Sequence, residues 1–466
     1  MDNIRLLYID LFCGAGGTST GVEKANYKER KCAKVIACVN HDANAIASHA
    51  ANHPEAQHYT EDMRTLYLRP LAEHTAEMRR MYPMAKVVLW ASLECTNFSR
   101  AKGGQPRDAD SRTLAEHLFR YIEALTPDYI QIENVEEFMS WGDLDENGKP
   151  ISRDKGRLYT NWVDNVKAYG YKFDHRILNA ADYGAYTSRK RFFGIFAKPY
   201  LPIVWPKPTH SKTGGGDLFG SLAKWKPVKE VLDFADEGES IFNRKKPLSP
   251  KTLERIYAGL IKFVAGGKDS FLIKYNSVNK KTGKHIPPSI DEPCPTVACQ
   301  NRLGIANNYS GGGQLSSLDN PCPAVMTNPK QNVIACKWYL MNPQFSNAGG
   351  SVEKPCFTLI AKMDKKPPYL IATECGQLAI EIYETDSGPM RKIKEFMALY
   401  GIVDIKMRML KIIELKRIMG FPENYTLIGT QADQKKFIGN AVEVNIARVL
   451  CEALVEEIVD ELLKVA

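Results

Sequence analysis

No stretch of this 466-residue chain is apolar for long enough to cross a bilayer, and its N-terminus lacks the pattern of a secretory signal. A cytoplasmic protein with no membrane partner is the expectation. The eleven cysteines are odd in number and include no CxxC pair, which argues against both a disulfide framework and a zinc site. Charge of neither sign dominates: 62 Lys+Arg stand against 54 Asp+Glu, a net of +8. That balance is compatible with a nucleic-acid partner and is weak as proof of one. Hydrophobic content of 44% and charged content of 25% are ordinary for a globular protein. The length suits two or three domains.

What is present begins with alternation. Residues 4–12 read as an apolar strand, 17–27 as a helix, 34–40 as a strand and 42–52 as a helix. The order continues through 87–92, 113–125 and 129–133, and a strand-rich stretch follows from Tyr171 to Phe196. Strands alternating with helices predict a parallel sheet covered on both faces. Three strand ends carry chemistry. Asp10-Leu11-Phe12-Cys13-Gly14-Ala15-Gly16-Gly17 ends a strand in a Gly-rich turn, where the backbone can approach a ligand and take positive φ. The apolar run from Val87 ends in Ser92-Leu93-Glu94-Cys95-Thr96-Asn97-Phe98-Ser99, delivering a thiol to a sheet edge. Tyr129 to Ile132 ends in Glu133-Asn134-Val135, an acid and an amide.

From about residue 200 the character changes. Pro and Gly become frequent, and basic clusters occur at 244–246, 280–284 and 365–366. One motif recurs three times, as Asp-Glu-Pro-Cys-Pro-Thr-Val (291–297), Asp-Asn-Pro-Cys-Pro-Ala-Val (319–325) and Glu-Lys-Pro-Cys-Phe-Thr-Leu (353–359), each ahead of a short strand. The plain reading is three equivalent turns with Cys294, Cys322 and Cys356 as small buried residues. Metal binding by the three lacks His or CxxC support. Helical character is expected to return at Ile405 and to end in a long amphipathic helix from Val444 to Val465. Gly439-Asn440 reads as a tight turn at a helix start.

Taken singly, these features are unremarkable. A cysteine after a strand is usually packed, a glutamate at a strand end solvated, and an Arg-x-Arg a surface pair. In this order, with Gly-Phe-Pro (420–422) and Gly-Asn-Ala-Val (439–442) behind them, they resemble the DNA cytosine-5 methyltransferases. The resemblance covers about residues 5–197 and 405–460. It implies an α/β fold: a Rossmann-like S-adenosylmethionine-dependent methyltransferase domain with an inserted strand-rich target-recognition domain. The expected boundaries are 1–200 and 405–466 for the catalytic domain and 201–404 for the insert, with the repeats near 271–372. Double-stranded DNA is the implied partner, and a monomer the default.

The resemblance also assigns residues. S-adenosylmethionine would lie against Asp10, Phe12, Gly14, Gly16 and Gly17, with Asn40 at the ribose, Asp62 at the adenine amino group and Asn440 folding back beside the loop. Asn40 departs from the family's usual Glu; it can still hydrogen-bond hydroxyls, without charge assistance. The catalytic set would be Cys95, Glu133, Arg189 and Arg191. Cytosine C5 is a poor nucleophile, and addition of a Cys95 thiolate to C6 makes C5 enamine-like, with Glu133 supplying a proton toward N3. One of the two arginines is expected at the cytosine O2, and the family's Gln beside them is Thr187 here. Glu94, Asn134, Ser99, Arg100 and Thr187 complete the substrate contacts; residues 97–113 look like a mobile loop that closes over a flipped nucleotide. Glu94 replaces the family's Pro. A carboxylate beside Cys95 opposes the thiolate if both face the pocket, and strand alternation would aim it away. Alternatives stay open: an RNA cytosine methyltransferase, since one branch of the family acts on transfer RNA, or a catalytically silent DNA binder. The long insert favours DNA.

Overall fold

The computed structural model describes residues 3–93, 115–143, 151–152, 156–217, 220–236, 238–261, 271–274, 303–306, 339–341, 350–357, 359, 369–375, 380–400 and 402–465. The chain forms two compact units. One comprises Met1–Asp233, Val352–Pro367 and Leu410–Ala466; the other comprises Phe234–Ser351 and Pro368–Met409.

The first unit is built on a seven-stranded sheet. Its strands are β1 (Leu6–Leu11), β2 (Ala33–Val39), β3 (Gln57–Tyr59), β4 (Lys86–Ser92), β5 (Tyr129–Asn134), β6 (Lys172–Asn179) and β7 (Lys190–Ala197). The spatial order is β3-β2-β1-β4-β5-β7-β6. The first five run parallel, and β7 enters antiparallel to both β5 and β6. This is a doubly wound α/β sheet whose strand order reverses at β1 and β4, where open α/β sheets bind ligands.

Alternation along each strand feeds two apolar layers. Leu7, Ile9 and Leu11 of β1 join Val87, Leu89 and Ala91 of β4 on one face, with Leu71 of α3 (Arg69–Met81) and Leu118 and Ile122 of α4 (Leu118–Leu125). Leu6 and Tyr8 join Val88 and Trp90 on the other face, under Ile446, Leu450 and Leu454. Those last three belong to the long helix Val444–Val465, which lies where the sequence periodicity puts it. Helix α1 (Gly17–Glu23) packs on that helix through Gly21: a Cβ at Gly21 would overlap the Val444 carbonyl oxygen and the Ala447 side chain. Helix α2 (Ala43–Asn52) begins at Asp42, whose carboxylate accepts from the amides of Asn44 and Ala45.

Two sequence expectations are corrected. Pro and Gly enrichment near residue 200 does not mark a unit border. Leu201 and Trp205 join the apolar layer beneath the long helix, and Trp205 Nε1 donates to Asp174 on β6 at 2.7 Å. Residues 201–233 therefore belong to the first unit. Helix does not return at Ile405 either. Residues Ile402–Met409 form a strand paired antiparallel with Tyr369–Cys375, and Ile405 and Met407 are buried while Lys406 and Arg408, which alternate with them, are half-buried. A short period-2 run also satisfies one turn of helical spacing, and the helix Ile412–Ile418 follows it.

In the second unit, five strands are ordered Glu239–Ser240, Ile402–Met409, Tyr369–Cys375, Tyr339–Met341, Gly350–Ser351. The helices Pro250–Gly259 and Gly388–Tyr400 contribute Leu253, Ile256, Ile393 and Phe396 to a core shared with Ile371, Ile405 and Met407. Phe271–Lys274 pairs antiparallel with Leu303–Ala306.

Candidate functional site

The Gly-rich turn follows β1 directly. Phe12 and Gly14 take positive φ (60° and 53°), and a Cβ at Gly14 would meet nothing within 4 Å among the described residues. Gly16 has φ 97°, and its missing Cβ leaves room for the Tyr425 hydroxyl, which donates to the Ala15 carbonyl. Gly17 rests against the Val442 carbonyl. The 439–442 segment thus lies beside the turn, while the Asn440 side chain is exposed at the end of the helix Gln431–Asn440. Gly439-Asn440 closes that helix instead of opening the next one.

Asp10, next to the end of β1, is buried. Its Oδ2 accepts from the Ser19 hydroxyl at 2.8 Å, and its Oδ1 has no hydrogen-bond partner among the described residues. Burial pushes its carboxyl up to about 8, although the Ser19 hydrogen bond works the other way. Asn40 follows β2; its amide oxygen accepts from the Asp42 amide at 2.9 Å. Asp62 lies three residues past β3 and is gripped by Arg64, whose Nε and Nη2 reach its carboxylate at 3.0 and 2.6 Å. The Arg64 hydrogen bonds hold the Asp62 carboxyl down to about 2.

The other side of the sheet collects the second set of predicted residues. Glu133 and Asn134 end β5, opposite Phe193 and Phe192 on β7. Because β7 runs antiparallel, its start lies beside the end of β5. Arg191 therefore reaches Glu133, Nε to Oε1 at 3.3 Å, with both side chains largely withdrawn from solvent. Asn134 is buried; its Nδ2 donates to the Leu93 carbonyl at 3.4 Å, and its Oδ1 accepts from the Val135 amide. Leu93 is the residue before Glu94-Cys95 in the chain. Glu94, Cys95, Ser99 and Arg100 lie outside the described residues.

Arg189 does not join Arg191. It is buried, and its Nη1 donates to the carbonyls of Leu359 and Gly439 at 3.0 and 3.2 Å. Thr187 is buried as well, with its hydroxyl on the Phe357 carbonyl at 3.4 Å and its backbone bridged to Cys356. The two arginines of Arg-x-Arg thus have different partners: Arg189 two backbone carbonyls, Arg191 the Glu133 carboxylate. Cys356, from the third Pro-Cys motif, is buried in this seam, which suits the small-residue reading for that copy; Cys294 and Cys322 lie outside the described residues.

Sequence reasoning missed a buried polar cluster under the Gly turn: Ser19, Cys38, His49 and His58 beside Cys13 and Asp10. Its members come from four separate segments, so no spacing rule reveals them. A weak signal was present in four histidines (His41, His49, His53 and His58) and a cysteine within residues 38–58 of an otherwise ordinary strand–helix–strand unit.

A doubly wound sheet with a glycine turn at its switch point is the class of nucleotide-cofactor enzymes with a Rossmann-like fold. More specifically, the chain belongs to the C-5 cytosine-specific DNA methylase family, whose model matches residues 6–256 and 328–456. The type II methyltransferase M.AgeI of Thalassovita gelatinovora is 29% identical over 203 residues, 43% of this chain and 42% of that relative. M.XorII of Xanthomonas oryzae pv. oryzae is 29% identical over 239 residues, 49% of each chain. DNA (cytosine-5)-methyltransferase 2 of Arabidopsis thaliana is 24% identical over 508 aligned positions, 97% of this chain and 29% of that relative. The chain spans about half the length of the bacterial relatives it matches. Membership in a methylase family implies a methyl donor. Among the described residues, no helix is long and apolar enough to cross a membrane.

Proposed function

We propose that this chain is a DNA cytosine-5 methyltransferase that uses S-adenosylmethionine and attacks its base through Cys95. The observation that carries the reading is the Arg191–Glu133 pair at 3.3 Å, beside an Asn134 that holds the backbone leading to Cys95. An acid, a cation and the approach to a thiol converge at adjacent strand ends in family order.

The cofactor fits the residues present. The open space at Gly14, the positive-φ turn and the unpartnered Oδ1 of Asp10 suit a ligand with a cationic amino-acid end. Phe12, Gly14, Gly16 and Gly17 would form its cradle, with Asn40 and Asp62 at the nucleoside; it would supply an electrophilic methyl group. The protein's own residues would do the rest. The Cys95 thiolate forms a bond to C6, and the electron pair of the C5–C6 double bond moves toward C5 as Glu133 protonates the N3 side of the ring. Once C5 carries the methyl group, water takes the C5 proton, the electron pair of that C–H bond restores the C5–C6 double bond and expels the Cys95 thiolate, and N3 returns its proton to Glu133. Arg191 would hold Glu133 in place and face the cytosine O2, and Arg189 would fix the strand that carries Arg191.

The test uses the full chain, duplex DNA and S-adenosylmethionine, with digestion to nucleosides and mass spectrometry beside a Cys95→Ala control. New 5-methylcytosine, absent from the control, supports the reading and shows that Glu94 is tolerated. DNA binding without modification, and no covalent adduct with 5-fluorocytosine DNA, overturns it in favour of a silent binder.

A further inference from the structure

We propose that Cys13, Cys38 and His49, with His58 as fourth ligand, form a binding site for a thiophilic divalent cation of the zinc class, tying the Gly-rich turn to β2, α2 and β3. The proposal does not rest on the methyl-transfer reading, because it is argued from the spacing of the ligand atoms.

Geometry carries the proposal. The ligand atoms of Cys13, Cys38 and His49 all lie within 4.8 Å of one another. Cys38 Sγ is 3.6 Å from His49 Nδ1, and His58 Nε2 is 3.0 Å from the same nitrogen. Tetrahedral zinc, with Zn–S of about 2.3 Å and Zn–N of about 2.05 Å, spaces a sulfur and a nitrogen about 3.6 Å apart and two nitrogens about 3.4 Å apart. The Cys38–His49 spacing is that of a ligand pair; His58 stands outside the mutually close trio and, besides parting slightly from His49, has to swing toward Cys13 to complete the set.

The hydrogen bonds around His49 orient it as a ligand. With Asp10 ionised, the Ser19 hydroxyl donates its one proton to the carboxylate and, at 2.8 Å from His49 Nε2, accepts from that ring N–H. The neutral ring then carries its lone pair on Nδ1, the atom facing Cys38 and His58. Metal-binding histidines are oriented in this way, with the far N–H engaged by a second polar group that is itself anchored to a carboxylate. Cys13, Cys38 and His49 are buried, while His58 is half-buried and offers a way in. Binding would release the two thiol protons and leave a divalent ion with two thiolates and two neutral imidazoles, a neutral set suited to burial. The absence of CxxC spacing is no obstacle, because the ligands come from a turn, a strand, a helix and a strand.

The competing structure is a plain hydrogen-bonded cluster of two thiols and two imidazoles, or a Cys13–Cys38 disulfide. The experiment is metal analysis of the full chain purified without chelator, followed by titration of the metal-free chain with Co2+. The expected result is one zinc per chain, and with Co2+ the ligand-field bands of a tetrahedral site together with sulfur-to-metal charge transfer. Both signals should be lost in Cys38→Ser and weakened in His58→Ala. A wild-type chain that holds no stoichiometric metal and shows no thiolate–cobalt band overturns the proposal. So does zinc that persists at one per chain in Cys38→Ser. The wild-type cobalt spectrum decides the matter even if a variant fails to fold.

Discussion

On the β3-β2-β1 side of the sheet, polar groups are sunk beneath a turn; on the β5-β7 side, they stand at strand ends as a charge pair. Asp10, Ser19 and His49 hydrogen-bond in a chain inside the first region, and the turn above them opens at Gly14. Glu133 and Arg191 meet in the second, because an antiparallel strand brings its start to the end of its neighbour. A parallel array can offer only strand C-termini along one edge, whereas inserting one antiparallel strand adds a residue from a strand's beginning. The first region should therefore answer to substitution with stability and cofactor affinity, and the second with rate.

The largest expected effect lies in the second region. Glu133→Gln should lower kcat about 10²–10⁴-fold, the range of a lost general acid, with melting temperature and DNA affinity near the parent values. A large fall in melting temperature would erase the contrast between the regions. In the first region, Gly21→Val should destabilise by about 3 kcal/mol or more in denaturant titration, since its side chain would enter backbone of the long helix. A variant of unchanged midpoint would mean that the two helices are not tightly seated.

Glu443 supplies a pH test of the same packing. Its Oε2 accepts from the Ile446 amide at the start of that helix. Burial pushes its carboxyl up to about 7, against the hydrogen bonds from Ile446 and Asn445. A carboxyl with a raised folded-state pKa binds its proton more tightly when folded, so its contribution to stability is full at low pH. That contribution falls as pH rises from 4.5 to about 7, then stays constant. The change is on the order of 2–3 kcal/mol. Glu443→Gln should remove this part of the slope when unfolding is compared at pH 5 and pH 8; an unaltered slope would assign it elsewhere.

Smaller effects sharpen the picture. Ser19→Ala should cost about 1–2 kcal/mol by taking the hydroxyl from Asp10 and His49, read as a shift in urea midpoint; no shift would mean that the buried chain of hydrogen bonds contributes nothing. Arg64→Ala removes an exposed pair and should change stability by less than about 1 kcal/mol. If Arg64 holds Asp62 in place for the adenine, the KM for S-adenosylmethionine rises several-fold in that variant. An unchanged KM takes Asp62 out of the cofactor site.

Most of the alternating strands and helices of residues 4–134 were legible because the central strands are buried on both faces and read as apolar runs, as Val87–Ala91 does. The helix Val444–Val465 was legible from its periodicity for a related reason. Residues 201–233 and 402–409 were not, since a Pro-rich path carries no sign of the unit it packs on, and a short strand can pass for one face of a helix. In the candidate site, the Gly turn and Glu133-Asn134 were evident from sequence, whereas the division of labour between Arg189 and Arg191 was not. Both arginines are equally charged and two residues apart, and only the seam with Leu359 and Gly439 distinguishes them.

By itself, then, the sequence determined the doubly wound sheet, the family and the order of glycine turn, thiol, acid and arginines along it, because these follow from local periodicity and chain order. Tertiary structure alone decided which arginine meets Glu133 and that Cys13, Cys38, His49 and His58 gather beneath one turn. Such meetings depend on strands, helices and turns distant in sequence being packed to within a few ångströms, a property that no local pattern encodes.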